Sequence, residues 1–218
     1  NRVGPTQAQV QPVATYNHSA PALSCCMNGQ NQLWSGGCDG EIKVWQHGKE
    51  AQKIGAHDAG VKCIKYDDTR NIGITAGWDK TVRYWDLRQQ NPCVLTVNLP
   101  ERAYAMSVCG PMLIVAMAGR KISFFNLNSP QNPLKTEETM LKYQTRCISA
   151  FVPPPADPIQ SCYAVGSIEG RVGIQFFQPE GDIRKNFAFK CHRDQNSHQV
   201  YPINAISVHP VFGTFSTA

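Results

Sequence analysis

The chain has 218 residues, with 21 Lys plus Arg against 16 Asp plus Glu and a formal net charge of +5. That balance is too weak for a partner that binds by bulk charge alone, and 42% hydrophobic with only 17% charged residues excludes a disordered chain. The longest unbroken apolar run, Met112 to Ala118, is far short of the roughly 20 residues of a membrane-spanning helix, and no basic segment followed by an apolar stretch opens the sequence.

In chain order, the first distinctive segment is Gly37-Cys38-Asp39-Gly40-Glu41-Ile42-Lys43-Val44-Trp45, which returns 40 residues later as Gly77-Trp78-Asp79-Lys80-Thr81-Val82-Arg83-Tyr84-Trp85. A third unit, Gly119-Arg120-Lys121-Ile122-Ser123-Phe124-Phe125, ends another 40 residues on, and a fourth, Gly166 to Gln175, ends 50 beyond that. The extra length of the fourth fits an insertion at Val152 to Gln160, which carries four prolines. An incomplete fifth unit starts near residue 199: Ile203-Asn204-Ala205-Ile206-Ser207-Val208 resembles Val61 to Tyr66, and Thr217-Ala218 aligns with Thr75-Ala76. Short β-branched and aromatic runs alternate with Gly, Asn and Asp turns, and nothing has the length and period of an amphipathic helix, so the class is all-β.

A period of about 40 residues, with roughly four strands per unit ending in Trp, resembles the WD40 β-propeller blade. In that family a His, a Ser or Thr, an Asp and the Trp form a hydrogen-bonded row. His18, Ser35, Asp39 and Trp45 fill one such row here, and His57, Thr75, Asp79 and Trp85 a second. The third unit keeps only the aromatic Phe125, while the fourth has Glu169 for Asp and Gln175 for Trp, so apolar packing and backbone pairing must hold those two. Units ending near 45, 85, 125 and 175 amount to about four and a half blades. The expectation is that residues 1–218 form one partial propeller domain belonging to a ring of seven blades.

Ser, His and Asp also make hydrolase triads, but their fixed recurrence in two units assigns them to structure. There is no Gly-x-Ser-x-Gly elbow, phosphate loop or His-Glu-x-x-His pair, so no enzyme activity and no cofactor are expected. Nine cysteines are an odd number without a secretory signal, which points to a reduced cytosolic or nuclear protein. Cys63 and Cys109 occupy strand-like positions, as small apolar side chains do. Cys191 and His192, with His198 beyond, are the only local hint of metal, and without a Cys-x-x-Cys pair no metal site is expected.

In a propeller the Asp-bearing turns share one face. Residues flanking them here are Trp78, Lys80, Arg120, Lys121, Glu169 and Arg171, with Glu41 from the first unit, which is four cations to two anions beside an indole. Such a ring suits an acidic, extended peptide, because Arg holds a carboxylate with two hydrogen bonds and Trp buries apolar area. A second basic stretch, Arg184 to Arg193, interleaves cations with aromatics. It reads best as an outer strand with Phe187 and Phe189 packed inward, its charges still able to attract phosphate.

Gly77-Trp78-Asp79-Lys80-Thr81, Leu99-Pro100-Glu101-Arg102-Ala103-Tyr104, Tyr143 to Ile148, Gly166 to Val172 and Phe189-Lys190-Cys191-His192-Arg193 resemble the nuclear mRNA export propellers that dock on a nucleoporin, from about Val13 onward. The related mitotic checkpoint propellers, which bind checkpoint kinases, share the Ser-Ile-Glu-Gly-Arg-Val and Lys-Cys-His-Arg stretches. Asn98 to Tyr104 and Pro111 to Ala116 are similar to the export branch, Ala118 to Arg120 and Lys142 to Gln144 to the checkpoint branch. The resemblance implies a non-enzymatic adaptor of the nucleus, the nuclear pore and envelope, and the cytoplasm. It would grip the GLEBS segment of an FG nucleoporin, or of a checkpoint kinase in the relative, with Arg171 pairing to a glutamate and Trp78 supplying apolar contact. It also implies a basic surface for mRNA or single-stranded RNA at Lys190 and Arg193, to which Lys185 of the basic stretch would add, and mitotic checkpoint or spindle proteins as further partners.

Overall fold

A computed structural model describes residues 15–152, 162–177, 186–194, 196–209 and 211–218. Within them the chain builds antiparallel sheets one after another. The first is β1 (Ala22–Met27), β2 (Leu33–Gly37), β3 (Glu41–Trp45) and β4 (Gln52–Ala56). The second is β5 (Val61–Asp67), β6 (Ile72–Gly77), β7 (Thr81–Trp85) and β8 (Cys93–Asn98). The third is β9 (Ala103–Cys109), β10 (Met112–Met117), β11 (Lys121–Asn126) and β12 (Lys135–Glu138), and the fourth β13 (Thr145–Phe151), β14 (Cys162–Ser167), β15 (Arg171–Phe176) and β16 (Phe187–Lys190). A two-stranded sheet of β17 (Ile206–Val208) and β18 (Phe215–Thr217) follows, and no α-helix occurs among the described residues. The all-β class holds.

The first strands of successive sheets pack side by side, β1 on β5, β5 on β9, β9 on β13 and β13 on β17, so the sheets stand as blades around a common channel. Their cores lie between blades. Trp34, Ile42 and Ile54 of the first meet Val61, Ile64 and Trp85 of the second. Ile74, Val82 and Tyr84 of the second meet Leu113, Val115 and Phe125 of the third. Ile114 and Phe124 then meet Ile148, Tyr163 and Val165, and Ala164, Val172 and Ile174 meet Ile203. Both faces of each middle strand are therefore covered, which is why β10 reads as an unbroken apolar run with no polar alternation.

Outer strands lie where neighbouring blades diverge, and β4, β8, β12 and β16 are correspondingly more exposed. This corrects one sequence expectation. β16 is an outer strand, but Phe187 and Phe189 are 52% and 38% exposed and not packed inward. Lys185 and the adjoining Arg184 lie outside the described residues, as does most of the Val152 to Gln160 insertion.

One turn geometry recurs between the second and third strands of all four blades. The residue after the second strand donates its N–H back to the inner-strand side: Cys38 to Pro21 O, Trp78 to Gly60 O, Ala118 to Arg102 O and Ile168 to Gln144 O. Two residues on, the backbone is left-handed, at Gly40, Lys80, Arg120 and Gly170 (φ 61 to 79°). Each of those carbonyls accepts from the start of the next segment, at His57, Leu99, Thr139 and Cys191. The turns are thus fixed at both ends by backbone bonds, whatever their side chains.

Candidate ligand-binding face

In the second blade the polar row is continuous. Trp85 Nε1 donates to Thr75 Oγ1 at 2.8 Å, Thr75 Oγ1 lies 2.7 Å from His57 Nε2, and His57 Nδ1 lies 2.8 Å from Asp79 Oδ2. Burial pushes the His57 pKa down, against the pull of Asp79. A neutral ring fits every bond: Nδ1–H donates to Asp79 and Nε2 accepts the Thr75 hydroxyl. Asp79 sits two residues past Gly77, where a Cβ would lie 2.8 Å from its carboxylate oxygen, so glycine there admits the close approach.

This row has a pH signature. In the unfolded chain His57 takes up a proton near its ordinary value of 6.5, whereas the folded chain refuses it until a lower pH. Stability should therefore fall as pH drops below about 6.5, because the unfolded state binds more protons there. The melting temperature, followed from pH 7.5 to 5, should decline less steeply in His57→Gln than in the native chain. Equal slopes would mean that His57 titrates normally in the fold.

The first blade differs from its sequence reading. Trp45 Nε1 donates to Ser35 Oγ and His18 Nε2 lies beside the same oxygen, both at 2.6 Å, but His18 Nδ1 is buried without a partner. Asp39 instead accepts from Ser19 Oγ at 2.6 Å, and this bond holds its pKa below the usual carboxylate range. Ser19 intercepts the carboxylate because it follows His18 directly; Asp58, in the same place after His57, has no side-chain donor to offer.

In the third blade the row is apolar throughout, as Leu99, Val115 and Phe125, all buried. The fourth has Val165 in the Thr position and a polar tie of another kind: Gln175 Oε1 accepts from Thr139 Oγ1 at 3.2 Å and Met140 N at 3.3 Å. His192 is the other surprise. Its Nε2 lies 2.8 Å from Thr217 Oγ1, so it meets β18 as His57 meets β6. No cluster of three potential metal ligands occurs among the described residues. Burial pushes the thiols of Cys63 and Cys147 up to about 12 and about 11, which leaves them unreactive packing groups.

The turn-bearing face carries the residues named from sequence, but most of its charge is already answered. Lys80 Nζ lies 3.2 Å from Glu101, Arg120 pairs with Glu138 at 2.6 Å, and Glu41 is held by Lys53 at 2.6 Å. Arg171 Nε is 3.3 Å from the Glu169 carboxylate without donating a hydrogen bond to it, and its side chain remains 36% exposed. Lys121 opens β11 beside Glu138. Arg193 donates to the Glu169 carbonyl at 2.7 Å, and Lys190 is exposed on β16.

At the mouth of the channel is a cavity of about 370 Å³. Trp78 is the only residue of the sequence-named ring that lines it; the others are inner-strand and turn residues, among them Lys62, Tyr104, Arg146, Ile168 and Asn204. Sequence reasoning passed over these as site residues, although Tyr104 and Arg146 stand inside stretches that carry the family resemblance.

The fold repeats a single blade, and two of its units match the family model of the WD domain, G-beta repeat, at residues 10–46 and 48–86. Those units are WD40 repeats, and the all-β fold is that of a WD40 propeller. It is 41% identical to the Poly(A)+ RNA export protein of Schizosaccharomyces pombe, over 100% of this chain and 62% of that protein. It is 39% identical to Mitotic checkpoint protein BUB3.1 of Arabidopsis thaliana, over 92% of this chain and 59% of that one. The chain thus spans about three fifths of the length of these curated relatives. Among solved structures, the WD40 β-propeller domain of Doa1 superposes with a TM-score of 0.72 over 96% of this chain and 64% of that one, at 18% identity, which speaks for the fold alone.

Proposed function

We propose that the chain is part of a non-catalytic adaptor of mRNA export at the nuclear pore, and that its turn-bearing face grips an acidic, extended GLEBS segment of an FG nucleoporin. The observation that carries this reading is the 41% identity to an RNA export protein along the whole chain. The chemistry of the face supports it, with partly exposed Arg171 for a glutamate, Trp78 for apolar contact, and Lys80, Arg120, Lys121 and Glu169 framing the path. RNA contact is assigned to exposed Lys190 and Arg193, and would weaken steeply with salt. A second reading, a mitotic checkpoint propeller that binds kinase GLEBS segments and spindle proteins, rests on 39% identity to a checkpoint protein. Two such close values do not separate the branches.

Calorimetric titration of the full-length protein with a nucleoporin GLEBS peptide and a checkpoint-kinase GLEBS peptide decides between them. Tight binding of the first and weak binding of the second is expected; the reverse preference moves the protein to the checkpoint branch. Because the Arg171 side chain is partly exposed, Arg171→Ala should weaken the preferred peptide about tenfold, roughly 1.4 kcal/mol. Unchanged affinity would remove Arg171 from the site.

A further inference from the structure

The inner strands of the first four blades share an irregularity that the sequence does not advertise. In each, the pairing with the neighbouring strand skips one residue. Val61 pairs with Gly77 and Cys63 with Ala76, which leaves out Lys62. Ala103 pairs with Met117 and Ala105 with Ala116, leaving out Tyr104, and Thr145 pairs with Ser167 and Cys147 with Gly166, leaving out Arg146. Leu23 is skipped in the first blade. A bulged residue leaves the strict alternation of the strand, and its side chain is re-aimed. Lys62, Tyr104 and Arg146 all line the cavity at the channel mouth.

The charge there is unanswered. Among the described residues no acid lines this cavity or the channel beneath it, where Lys65 adds a third cation. Lys62, Lys65 and Arg146 form no ion pair among the described residues, whereas Lys80, Arg120 and Arg171 on the rim each face a glutamate. Arg146 Nε donates to Asn204 Oδ1, which fixes the guanidinium and leaves its terminal nitrogens to a ligand. Cations gathered in a walled recess repel one another, and the arrangement gains only when an anion enters.

We infer that Lys62 and Arg146 jointly hold a side-chain carboxylate of the docked segment at the channel mouth, with Tyr104, Trp78 and Ile168 packing against the neighbouring atoms of that segment. Lys62 supplies a point charge and Arg146 a planar pair of donors. This rests on the reading of the face as an acidic-peptide site and deepens it, moving the anchor from the rim to the recess.

The test uses a fluorescent hexaglutamate peptide and its all-glutamine counterpart, titrated by anisotropy against the native protein, Lys62→Gln, Arg146→Gln and Arg146→Lys. Hexaglutamate should bind the native protein. It should lose about tenfold in each Gln variant, less in Arg146→Lys, and the all-glutamine peptide should bind none of them. The melting temperature of Lys62→Gln should match or exceed the native value, since repulsion is relieved, and that of Arg146→Gln should stay within a few degrees of it, because the lost bond to Asn204 is exposed; weakened binding then cannot be laid to misfolding. Hexaglutamate binding that is absent from the native protein, or equal in native and Gln variants, overturns the inference. If hexaglutamate binding depends on Lys62 and Arg146 while the nucleoporin GLEBS peptide fails to bind, the recess stands as an acidic-peptide anchor and the nucleoporin assignment falls.

Discussion

Replacing Thr75 by Val should cost about 3 to 4 kcal/mol, although the two side chains have nearly the same shape and Thr75 is fully buried in β6. The loss comes from what Thr75 leaves behind. His57 Nε2 and Trp85 Nε1 both end on its hydroxyl, and each orphaned, buried polar atom costs roughly 1 to 3 kcal/mol. For a domain of this size that corresponds to a fall in melting temperature on the order of 10 °C. Valine itself is not the offence, because Val115 and Val165 occupy the same position in the next two blades. The triple change His57→Leu, Thr75→Val, Trp85→Phe, which grafts the apolar row of the third blade, should therefore recover part of the stability lost by Thr75→Val alone: Asp79 loses His57 but keeps Thr81 and Arg83 as partners, and the shorter ring leaves a void against Gly55. Thermal melts of the single and triple variants check this; a triple variant less stable than the single one would mean that the row matters for more than its own satisfaction.

The same comparison explains what could be read from sequence. A hydrogen-bonded row needs particular residue types at fixed spacing, so the units ending in Trp45 and Trp85 were visible, and with them the period and the fold. Leu99, Val115 and Phe125 do the same work by packing, which many residue types can do, and so that row has no signature. The Gln175 to Thr139 tie joins residues 36 apart through a pairing that no spacing rule anticipates. His192 was legible as part of a motif, but the hairpin marked by the Arg193 to Val200 bridge separates it from its strand and hid its role. On the turn-bearing face, the turn residues were legible from spacing and the recess was not. Whether Lys80 is paired depends on Glu101, which lies two strands on, beyond β8, and whether Lys62 points into the channel depends on one skipped position in a ladder. Neither changes composition or period.

Gly73→Ala should cost about 3 kcal/mol, for a reason that lies between blades. A Cβ on Gly73 would lie 2.6 Å from Cη2 of Trp34, which is fully buried in the first blade. The contact is reciprocal: a Cβ on Gly55 of the first blade would lie 2.6 Å from Cη2 of Trp85 in the second. Each indole thus lies against bare backbone of the other blade, and the two glycines set how closely the blades approach. Trp34 has little room to yield, since Ile42, Val44, Val61 and Ile64 share its cluster and Tyr66 packs 5.4 Å from its ring. Shortening the indole should relieve the clash. Trp34→Phe removes the part of the six-membered ring that the methyl strikes, leaving a void that the alanine partly fills, so the double variant should be more stable than the sum of the single losses by more than about 1 kcal/mol. Denaturant unfolding of the four proteins measures that coupling; strict additivity would place the cost of Gly73→Ala in the backbone of β6, away from the indole.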